Sequence, residues 1–321
     1  MAAYRNGPSG GLWTYVARPG AVARWCVLLD GLDIAALASR LPADPLTRFA
    51  PAPTGWLHLG HVLNAEYVWS LARALGGRVL LRIEDHDRGR SRPHFESGIL
   101  DDLDWLGFQP DIDTTSQYRA GACEGRQSNR DEVYRASCEE LAGQGLLYGC
   151  ECSRREITAA ELLVGAELRY PGRCRGKNLR VRAGVGWRLR MDPGVETFDD
   201  VRLGPQSQEP SSQCGDVLLR DRNENWTYQF AAAVDDWRQG IDLVVRGMDL
   251  LPSTGRQIRI ARLLGRERMP VFLHHGLIMK SPSQKLSKAD GDAGVRELRA
   301  RGWTPEAVRH AALNTALAEL P

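Results

Sequence analysis

The stretch that decides the fold class of this chain runs from residue 46 to residue 61 and reads LTRFAPAPTGWLHLGH. Its opening residues, 46–50, predict a short strand, and the prolines and glycine of 51–55 predict a turn. A helix is expected from His61 to Leu75, because apolar side chains recur there at helical spacing. Arg78–Asp85 then has the dense apolar run of a buried parallel strand. Strand, helix and strand in this order predict a βαβ unit and therefore an α/β domain.

The rest of the chain continues this alternation on both sides of a region with a different composition. Periodicity predicts helices at Phe95–Leu106, Asp131–Gln144, Tyr228–Asp235 and Ser253–Leu264, and strands at Asp216–Arg220 and Leu243–Arg246. Residues 148–215 hold four of the seven cysteines and only short strand-like pieces, so we predict an inserted module there. We therefore expect a poorly ordered extension over 1–45 and an α/β domain divided between 46–147 and 216–321.

Composition and charge limit the class of protein. The chain has 321 residues, of which 43% are hydrophobic, and this suffices for a packed core. The formal net charge is only +2, so a globally basic nucleic-acid binder is not indicated. A local basic face, or simply a solvated helix face, is open for the run Arg256, Arg259, Arg262, Arg266 and Arg268. Without a long apolar run, a secretory signal or an even number of cysteines, we expect a cytoplasmic protein that does not associate with membranes.

The motif His58-Leu59-Gly60-His61 lies where the first strand gives way to its helix. A helix N-terminus offers unpaired N–H groups and the positive end of the helix dipole, which favour phosphate. Gly60 allows a nucleotide to approach the backbone closely, and two histidines three residues apart can lie on one face of the first turn. They could donate hydrogen bonds to a triphosphate. The alternatives are ordinary polar residues of a helix start, or a metal-binding pair.

The motif Lys285-Leu286-Ser287-Lys288 lies far downstream, in a polar segment between Pro282 and Gly291. Two lysines that flank a serine can pair with the phosphates of ATP during an in-line attack. Such a loop can close over ATP only when ATP is present. A solvated surface loop is the common explanation of this motif by itself, so its weight comes from its combination with HLGH.

A third group of residues consists of Cys150 and Cys152, followed by Tyr170 and Cys174. Thiolates bind Zn²⁺ tightly, and four ligands make a closed structural site. Spacing alone supplies three thiolates and leaves the fourth ligand unassigned, so three free cysteines remain the alternative. The remaining cysteines are expected to be inert or surface thiols: Cys26, Cys123, Cys138 and Cys214.

HLGH and KLSK together resemble the two signatures of the class I aminoacyl-tRNA synthetases. The stretches Arg48–Gly55, Arg82–Asp85 and Val244–Leu251 resemble the glutamyl branch of that family. The resemblance covers about residues 46–290 and is strongest to the glutamyl-queuosine tRNA(Asp) synthetase family. The 33 residues after Lys288 are too few for an anticodon-binding domain, which this family lacks.

The resemblance implies a Rossmann-like parallel sheet with an inserted zinc-bearing, acceptor-binding module. It implies that glutamate and ATP, with Mg²⁺, form glutamyl-adenylate without tRNA. Glutamate then passes to the queuosine base in the anticodon of tRNA(Asp). We expect the protein to act as a monomer. The rival functions are charging of a tRNA 3′ end, as in a conventional glutamyl-tRNA synthetase, and a zinc or RNA-binding module without catalysis.

Site residues follow from the motifs that this sequence shares with the family. Glutamate is expected to contact Arg48, Glu84, Tyr228, Arg246 and Ala52, the last of which replaces the serine that is usual in the family. ATP is expected to contact His58, Gly60, His61 and Lys288, with Lys285 joining the two histidines and Lys288 in catalysis. The zinc ligands are expected to be Cys150, Cys152, Cys174 and the phenolate of Tyr170.

Each glutamate-site residue has a plainer explanation. Arg48 could pair only with a surface carboxylate, and Glu84 could be structural, although the end of a parallel strand is where α/β sheets bind ligands. Tyr228 could pack on the core. Arg246 follows two valines in a strand that should be buried, and a buried arginine needs an anionic partner. A substrate carboxylate or an internal aspartate would meet that need.

Overall fold

The computed structural model describes residues 28–121, 123–158, 168–281, 284–285 and 294–317. The strands, in chain order, are β1 Leu46–Phe49, β2 Arg78–Leu81, β3 Leu147–Cys150, β4 Gly186–Leu189, β5 Glu196–Asp200, β6 Gly204–Gln208, β7 Val217–Arg220, β8 Leu243–Gly247, β9 Val271–His275, β10 Met279–Ser281 and β11 Gln284–Lys285. Across the described ranges, no helix is both long and apolar enough to cross a membrane.

Helices flank the strands throughout these ranges. In chain order they are α1 Ile34–Ser39, α2 Leu59–Ala74, α3 Pro93–Leu106, α4 Thr115–Ala120, α5 Asp131–Gly143, α6 Arg154–Thr158, α7 Pro210–Gln213, α8 Tyr228–Arg238, α9 Thr254–Leu263, α10 Val295–Ala300 and α11 Pro305–Leu317. Two short 3-10 helices cover Gln127–Asn129 and Met248–Ser253. The predicted helices are therefore confirmed, with bounds that shift by a few residues.

Six strands form the central sheet in the order β2-β1-β8-β9-β5-β6. The first five run parallel, and only the edge strand β6 is antiparallel to its neighbour. From β1 the chain continues to β2 on one side, whereas from β8 it continues to β9 on the other. This divergence between β1 and β8 is a topological switch point, and ligands of α/β sheets bind outside the carboxyl ends of the strands at such a point.

Helix α2 forms because its apolar side chains face the sheet at helical spacing, and Val62, Leu63, Val68 and Leu71 are buried. The helix ends just before Gly76, which adopts a positive φ of 65° that a side chain would disfavour. Helix α2 packs against β1, β2 and β8, and its N-terminus consequently lies at the edge of the sheet where the parallel strands have their carboxyl ends. The predicted βαβ unit is therefore confirmed.

Strand β2 is shorter than the predicted strand Arg78–Asp85. Beyond Leu81 the backbone still contacts the turn after β1, since the amide of Glu84 donates to the carbonyl of Pro51 at 3.0 Å. Pro51 and Pro53 carry no N–H groups, so the ladder cannot continue through them. Glu84 and Asp85 consequently lie in a loop at the sheet edge rather than in the strand.

The segment 148–215, which was expected to be one insert, is divided between two sheets. Strands β3, β4 and β7 form a separate antiparallel sheet, whereas β5 and β6 join the edge of the central sheet through β9. Strand β7 had been expected in the second half of the main domain. Pairing between strands far apart in sequence decides this division, and local periodicity does not encode it.

Part of the segment predicted as a poorly ordered extension is packed against the main core. Helix α1 begins after Asp33, whose carboxylate accepts from the amide of Ala36 at 2.9 Å. Leu28 and Leu37 are buried in the same cluster as the core of the βαβ unit. The expectation for 1–45 is thus wrong for residues 28–45, because these side chains bury apolar surface.

Candidate active site

The HLGH motif caps the N-terminus of α2. The Nδ1 atom of His58 accepts from the amide of Gly60 at 3.1 Å, and Nδ1 of His61 accepts from the amide of His58 at 3.2 Å. The two rings lie 3.9 Å apart, centroid to centroid, and both side chains are half-buried. A Cβ atom at Gly60 would lie 2.9 Å from the His58 ring, so a side chain there would force the ring to move. The motif thus holds two imidazoles beside a helix N-terminus.

The KLSK motif can be followed only at its borders. Lys285 contributes backbone to β11, whose residues pair antiparallel with β10, while Lys288 lies outside the described residues. The chain is described again at Gly294, which forms an antiparallel bridge with His58. The amide of Val295 donates to the carbonyl of Leu57 at 2.8 Å. The chain that follows KLSK is therefore paired, at Gly294 and Val295, with the start of HLGH.

Arg48 belongs to a buried charge network at the switch point. Its guanidinium bonds Asp236 through Nε at 3.0 Å and through Nη2 at 3.3 Å, and Nη1 donates to the carbonyl of Val245 at 3.3 Å. Arg82, fully buried, also donates to Asp236 at 2.7 Å. Burial opposes ionisation of Asp236, but the two arginines hold its pKa well below the ordinary value. The partner of Arg48 is thus an internal carboxylate and not one on the surface.

Glu84 and Tyr228 lie near this network. Glu84 is 7% exposed, and its Oε1 lies 3.8 Å from Nη1 of Arg82. Burial raises the pKa of Glu84 despite the opposing effect of Arg82. Burial likewise raises the pKa of the Tyr228 phenol, while nearby Arg246 opposes the rise and Glu84 adds to it. Both groups therefore lie within electrostatic reach of the charges that were predicted to bind glutamate.

Arg246, at the carboxyl end of β8, is 3% exposed, and the side chains to which it donates hydrogen bonds within the described residues are neutral. Nη1 donates to Gln257 at 2.6 Å, Nη2 donates to Thr254 at 2.7 Å, and Nε donates to Nε2 of His274 at 3.0 Å. Burial lowers the pKa of Arg246 from its ordinary value. A buried guanidinium with neutral partners is suited to an anionic ligand.

His274 is held by a carboxylate on its other side. Its Nδ1 lies 2.7 Å from Oδ2 of Asp200, and its backbone amide donates to the same oxygen at 3.0 Å. Burial lowers the pKa of His274, although Asp200 opposes this change. The network assigns the ring proton to Nδ1, which leaves Nε2 to accept from Arg246. Asp200 thus orients His274, and His274 orients Arg246.

These supporting residues were missed by the sequence analysis. Asp200 and His274 lie 74 residues apart, and Arg48 and Asp236 lie 188 apart, so no local spacing connects them. One signal existed: Asp235 and Asp236 end the apolar run FAAAV of a helix, and two carboxylates on a buried helix require partners. Ala52 is half-buried in the turn after β1, where its carbonyl accepts from Thr54 at 2.8 Å.

The arginine run on and after α9 does not form one exposed basic face. Arg256 and Arg266 are buried, and Arg266 donates to the backbone carbonyls of Asp236 and Ile241. Arg259 and Arg262 both pair with Glu196. The candidate RNA face is therefore wrong as a continuous surface, because Arg256 and Arg266 are buried and the exposed members of the run are only Arg262, which pairs with Glu196, and Arg268.

The thiol cluster lies beside β3 in the smaller sheet. The sulfur atoms of Cys150, Cys152 and Cys174 are within 4.8 Å of one another, and those of Cys152 and Cys174 are 3.6 Å apart. The phenol oxygen of Tyr170 lies 3.4 Å from Sγ of Cys150 and 3.8 Å from Sγ of Cys152, and it accepts from the amide of Cys174 at 2.9 Å. The structure thus brings together all four residues that were predicted as zinc ligands.

The electrostatics of this cluster differ among its members. Burial raises the pKa of the Cys152 thiol to about 11. Burial opposes ionisation of Cys150 as well, but Tyr170 and Arg188 hold its pKa below the ordinary value. Outside the cluster, burial raises the pKa of Cys123 to about 11 and that of Cys138 to about 12, which is consistent with inert thiols. Cys26 lies outside the described residues.

Comparison with known proteins shows that this chain is similar to the members of one enzyme family. The model of the catalytic domain of class I tRNA synthetases (E and Q) matches residues 46–316. The chain is 40% identical to the glutamyl-Q tRNA(Asp) synthetase of Rhodobacter capsulatus, across 82% of this chain and 98% of that protein. It is 43% identical to the glutamyl-Q tRNA(Asp) synthetase of Bordetella bronchiseptica, across 76% of this chain and 75% of that protein.

The fold also matches that of a solved structure. The crystal structure of the glutamate-tRNA synthetase from Elizabethkingia anophelis superposes with a TM-score of 0.70 and 29% identity. The superposition covers 84% of this chain and 61% of that one, so this chain spans less than two thirds of the solved synthetase.

Proposed function

We propose, from the premise that this chain belongs to the class I tRNA synthetases (E and Q) and within them to the glutamyl-Q tRNA(Asp) synthetases, that it activates glutamate with ATP and transfers it to the queuosine base of tRNA(Asp). The chain is a ligase with the class I synthetase fold. Glutamate chemistry follows from the family, whereas the queuosine acceptor comes from the names of the relatives.

A single observation carries the proposal: two buried arginines meet a histidine-capped helix at the switch point of a parallel sheet. Arg48 and Arg246 lie near the carboxyl ends of β1 and β8, and α2 begins at the same edge. An arginine guanidinium binds a carboxylate through two parallel hydrogen bonds, and a helix N-terminus binds phosphate. The edge thus offers groups for an amino acid with two carboxylates and for a nucleotide.

Each glutamate group has a candidate partner. Arg48 keeps further N–H groups beyond those bonded to Asp236 and Val245, and these can bind one substrate carboxylate. Arg246 can bind the other, and the Tyr228 phenol lies nearby. Glu84 can hold the α-ammonium, and a nearby cation would lower its raised pKa and keep it ionised.

The first reaction step is proposed to be in-line attack of the glutamate α-carboxylate on the α-phosphorus of ATP. An O–P bond forms, the bond to pyrophosphate breaks, and pyrophosphate leaves with Mg²⁺. His58, His61 and the lysines of KLSK stabilise the developing negative charge. Support for this role is the pairing of His58 with Gly294, since Lys288 lies six positions before Gly294 in the sequence and six positions of extended chain span at most about 20 Å.

In the second step a hydroxyl of the acceptor attacks the acyl carbon of glutamyl-adenylate. An ester bond forms, the bond between the acyl carbon and the AMP oxygen breaks, and AMP leaves. The hydroxyl proton passes to solvent or to the departing phosphate. The carboxylate of glutamate is itself the nucleophile in the first step, so no covalent enzyme intermediate is needed.

A structural Zn²⁺ ion fits the thiol cluster. Tetrahedral Zn²⁺ with bonds of about 2.3 Å to sulfur places its sulfur ligands about 3.8 Å apart, close to the 3.6 Å between Cys152 and Cys174. Tyr170 supplies an oxygen at matching distances, and the Cys174 amide already donates to it. The four residues would hold the ion, which would cross-link the start of the module to its Tyr170–Cys174 turn.

The test is a pair of assays on the purified protein. ATP–pyrophosphate exchange should depend on glutamate and proceed without tRNA. Labelled glutamate should then join tRNA(Asp) that contains queuosine, and not the same tRNA without queuosine or tRNA(Glu). Arg246→Gln should abolish glutamate-dependent exchange, whereas Arg182→Gln, a change on the exposed surface, should leave exchange unchanged.

Two results would contradict the proposal in different ways. Label on the 3′ end of tRNA(Glu) would overturn the queuosine acceptor and leave glutamate activation intact. Absence of exchange with every amino acid would overturn the activation step itself.

A further inference from the structure

A cavity next to the proposed glutamate site lies between the thiol cluster and the start of α8. Its volume is about 670 Å³, which is within the range of sites that enclose small ligands. Thr227 and Gln229 line it, and these residues flank Tyr228 of the glutamate site. Tyr170 and Arg188 line it from the smaller sheet. The cavity thus joins the two regions that the proposed function requires.

The charge of the cavity wall favours an anionic ligand. Four arginines line it against two aspartates, namely Arg154, Arg188, Arg222 and Arg256 against Asp216 and Asp221. Asp216 is already engaged, because it accepts from the Tyr148 hydroxyl at 2.6 Å and from the Met191 amide at 2.8 Å. Arg188 is 7% exposed, and its Nε has no hydrogen-bond partner among the described residues. Phosphodiester groups are the anions that arginines commonly bind in RNA complexes.

A short hydrogen-bond chain connects this cavity to Arg246. The side-chain carbonyl of Gln229 accepts from the Gln257 amide at 3.0 Å, and the Gln257 carbonyl accepts from Arg246 at 2.6 Å. The Gln229 amide donates to the hydroxyl of Ser253 at 2.8 Å. An amide side chain has further donor and acceptor capacity. Gln229 can therefore bond a ligand hydroxyl while it remains tied to the side chain that holds Arg246.

We propose that this cavity receives the acceptor nucleoside with a flanking phosphate, and that Gln229 and Arg222 determine how that acceptor is bound. The inference rests on the proposed function, since it assumes that the enzyme transfers an activated acid to RNA. Gln229 positions the attacking hydroxyl beside the glutamate site. Arg222, at the exposed rim, attracts the phosphate.

Separate assays of glutamate activation and of transfer to RNA distinguish a specific role of Gln229 from a general loss of enzyme activity. Gln229→Met keeps the length of the side chain and removes its hydrogen bonds. At saturating glutamate, so that any effect passed through Gln257 to Arg246 on glutamate affinity does not enter, exchange of pyrophosphate should stay within about twofold of wild type. Single-turnover transfer from preformed glutamyl-adenylate should fall about tenfold, the cost of one hydrogen bond. If transfer proceeds at the wild-type rate, or if exchange falls as far as transfer, the assignment is overturned.

Two surface arginines give a matched test of the rim. Arg222 donates to the backbone carbonyl of Glu151 and lines the cavity, whereas Arg182 pairs with the Glu151 carboxylate at 3.8 Å and does not line it. Arg222→Gln should weaken equilibrium binding of queuosine-containing tRNA(Asp) severalfold and lower the salt slope by about 1. Arg182→Gln should change neither. Equal losses in both variants would overturn the cavity in favour of diffuse attraction.

The binding measurement keeps this inference separate from the proposed function. If wild type charges a different RNA, that RNA is used for the transfer and binding assays, and the Gln229 and Arg222 results still decide the cavity. If wild type binds no RNA at all, the cavity assignment is overturned, whatever the outcome of pyrophosphate exchange.

Discussion

The two functional regions of this molecule provide different kinds of partner for their buried polar groups. At the switch point of the central sheet, Arg48 and Arg82 share Asp236, so the charges are neutralised by the protein itself. In the smaller sheet, the thiols of Cys150 and Cys152 and the Tyr170 phenol contact mainly one another. In the first region Arg48 and Arg82 have an ionic partner within the protein, whereas the second region would gain its cross-link from the proposed zinc ion. Stability of the two regions should therefore respond to different perturbations.

The largest expected effect is the loss of the proposed zinc ion from the thiol cluster. Structural zinc contributes apparent free energies of roughly 10 kcal/mol in small domains. Chelation or Cys174→Ser should therefore abolish hydrogen-exchange protection in β3 and β4 while the central sheet stays protected. Zinc content and exchange measured by mass spectrometry check this.

The matched control is Cys138→Ser, which alters a buried thiol outside the cluster. It should keep the zinc content and the protection of β3. If wild-type protein contains no zinc, or if chelation leaves β3 protected, the comparison between the two regions fails.

The next effect concerns the region that is neutralised by the protein. Asp236→Asn removes the carboxylate that the buried Arg48 and Arg82 share, and removal of one partner from a buried ion pair costs about 3–5 kcal/mol. Urea unfolding at pH 7 measures the cost. Glu140→Gln, which breaks the pair of Glu140 with Arg238 at the surface, should cost less than about 1 kcal/mol.

The loss of stability caused by Asp236→Asn should be smaller at low pH than at neutral pH. The folded pKa of Asp236 is held below its ordinary value by the two arginines, so its contribution is present above the unfolded pKa, about 4. That contribution is lost as pH falls through the lower folded pKa. Wild type and Asp236→Asn should therefore differ most at neutral pH and converge in strong acid. A constant difference down to pH 2 would contradict this assignment.

Much of the architecture follows from the sequence because local patterns determine it. Apolar spacing in α2 and the prolines after β1 fix the strand, turn and helix that present His58 and His61. The other contacts of the site could not be predicted, because the residues that form them lie far apart in the sequence. The bonds of Arg48 with Asp236 and of His274 with Asp200 join residues that only the strand order brings together.

The smaller sheet shows the same limit. Its cysteine spacing predicted that Cys150, Cys152 and Cys174 cluster, since metal ligands recur at short separations, whereas Tyr170 was predicted only from the resemblance to the family. The sequence could not predict that β5 and β6 leave the insert for the central sheet, because the choice depends on which strand edge is open after folding. The KLSK prediction remains open, since Lys288 lies outside the described residues.

A smaller effect should come from the residues that orient Arg246. Asp200→Asn removes the charge that keeps the His274 proton on Nδ1, so Nε2 would no longer reliably accept from Arg246. We expect the KM for glutamate in pyrophosphate exchange to rise about tenfold, with a smaller change in kcat. Asp199→Asn, the same change at an exposed neighbour, should leave KM unchanged. A fall in kcat alone would show that Asp200 acts on the chemical step and does not position Arg246.

The smallest effect tests the departure of this sequence from its family at the edge of the same site. Ala52 lies half-buried in the turn after β1, where related sequences are expected to carry serine. Ala52→Ser adds one hydroxyl beside the proposed glutamate site, and one hydrogen bond contributes about 0.5–1.5 kcal/mol. The KM for glutamate in pyrophosphate exchange should therefore fall by about two- to tenfold. Ala50→Ser, on the other side of Pro51, controls for the added polarity and should have no effect. If Ala52→Ser also has no effect, the turn contacts glutamate through its backbone alone, and the charged network of Arg48 and Asp236 fixes affinity in this region without help from the turn.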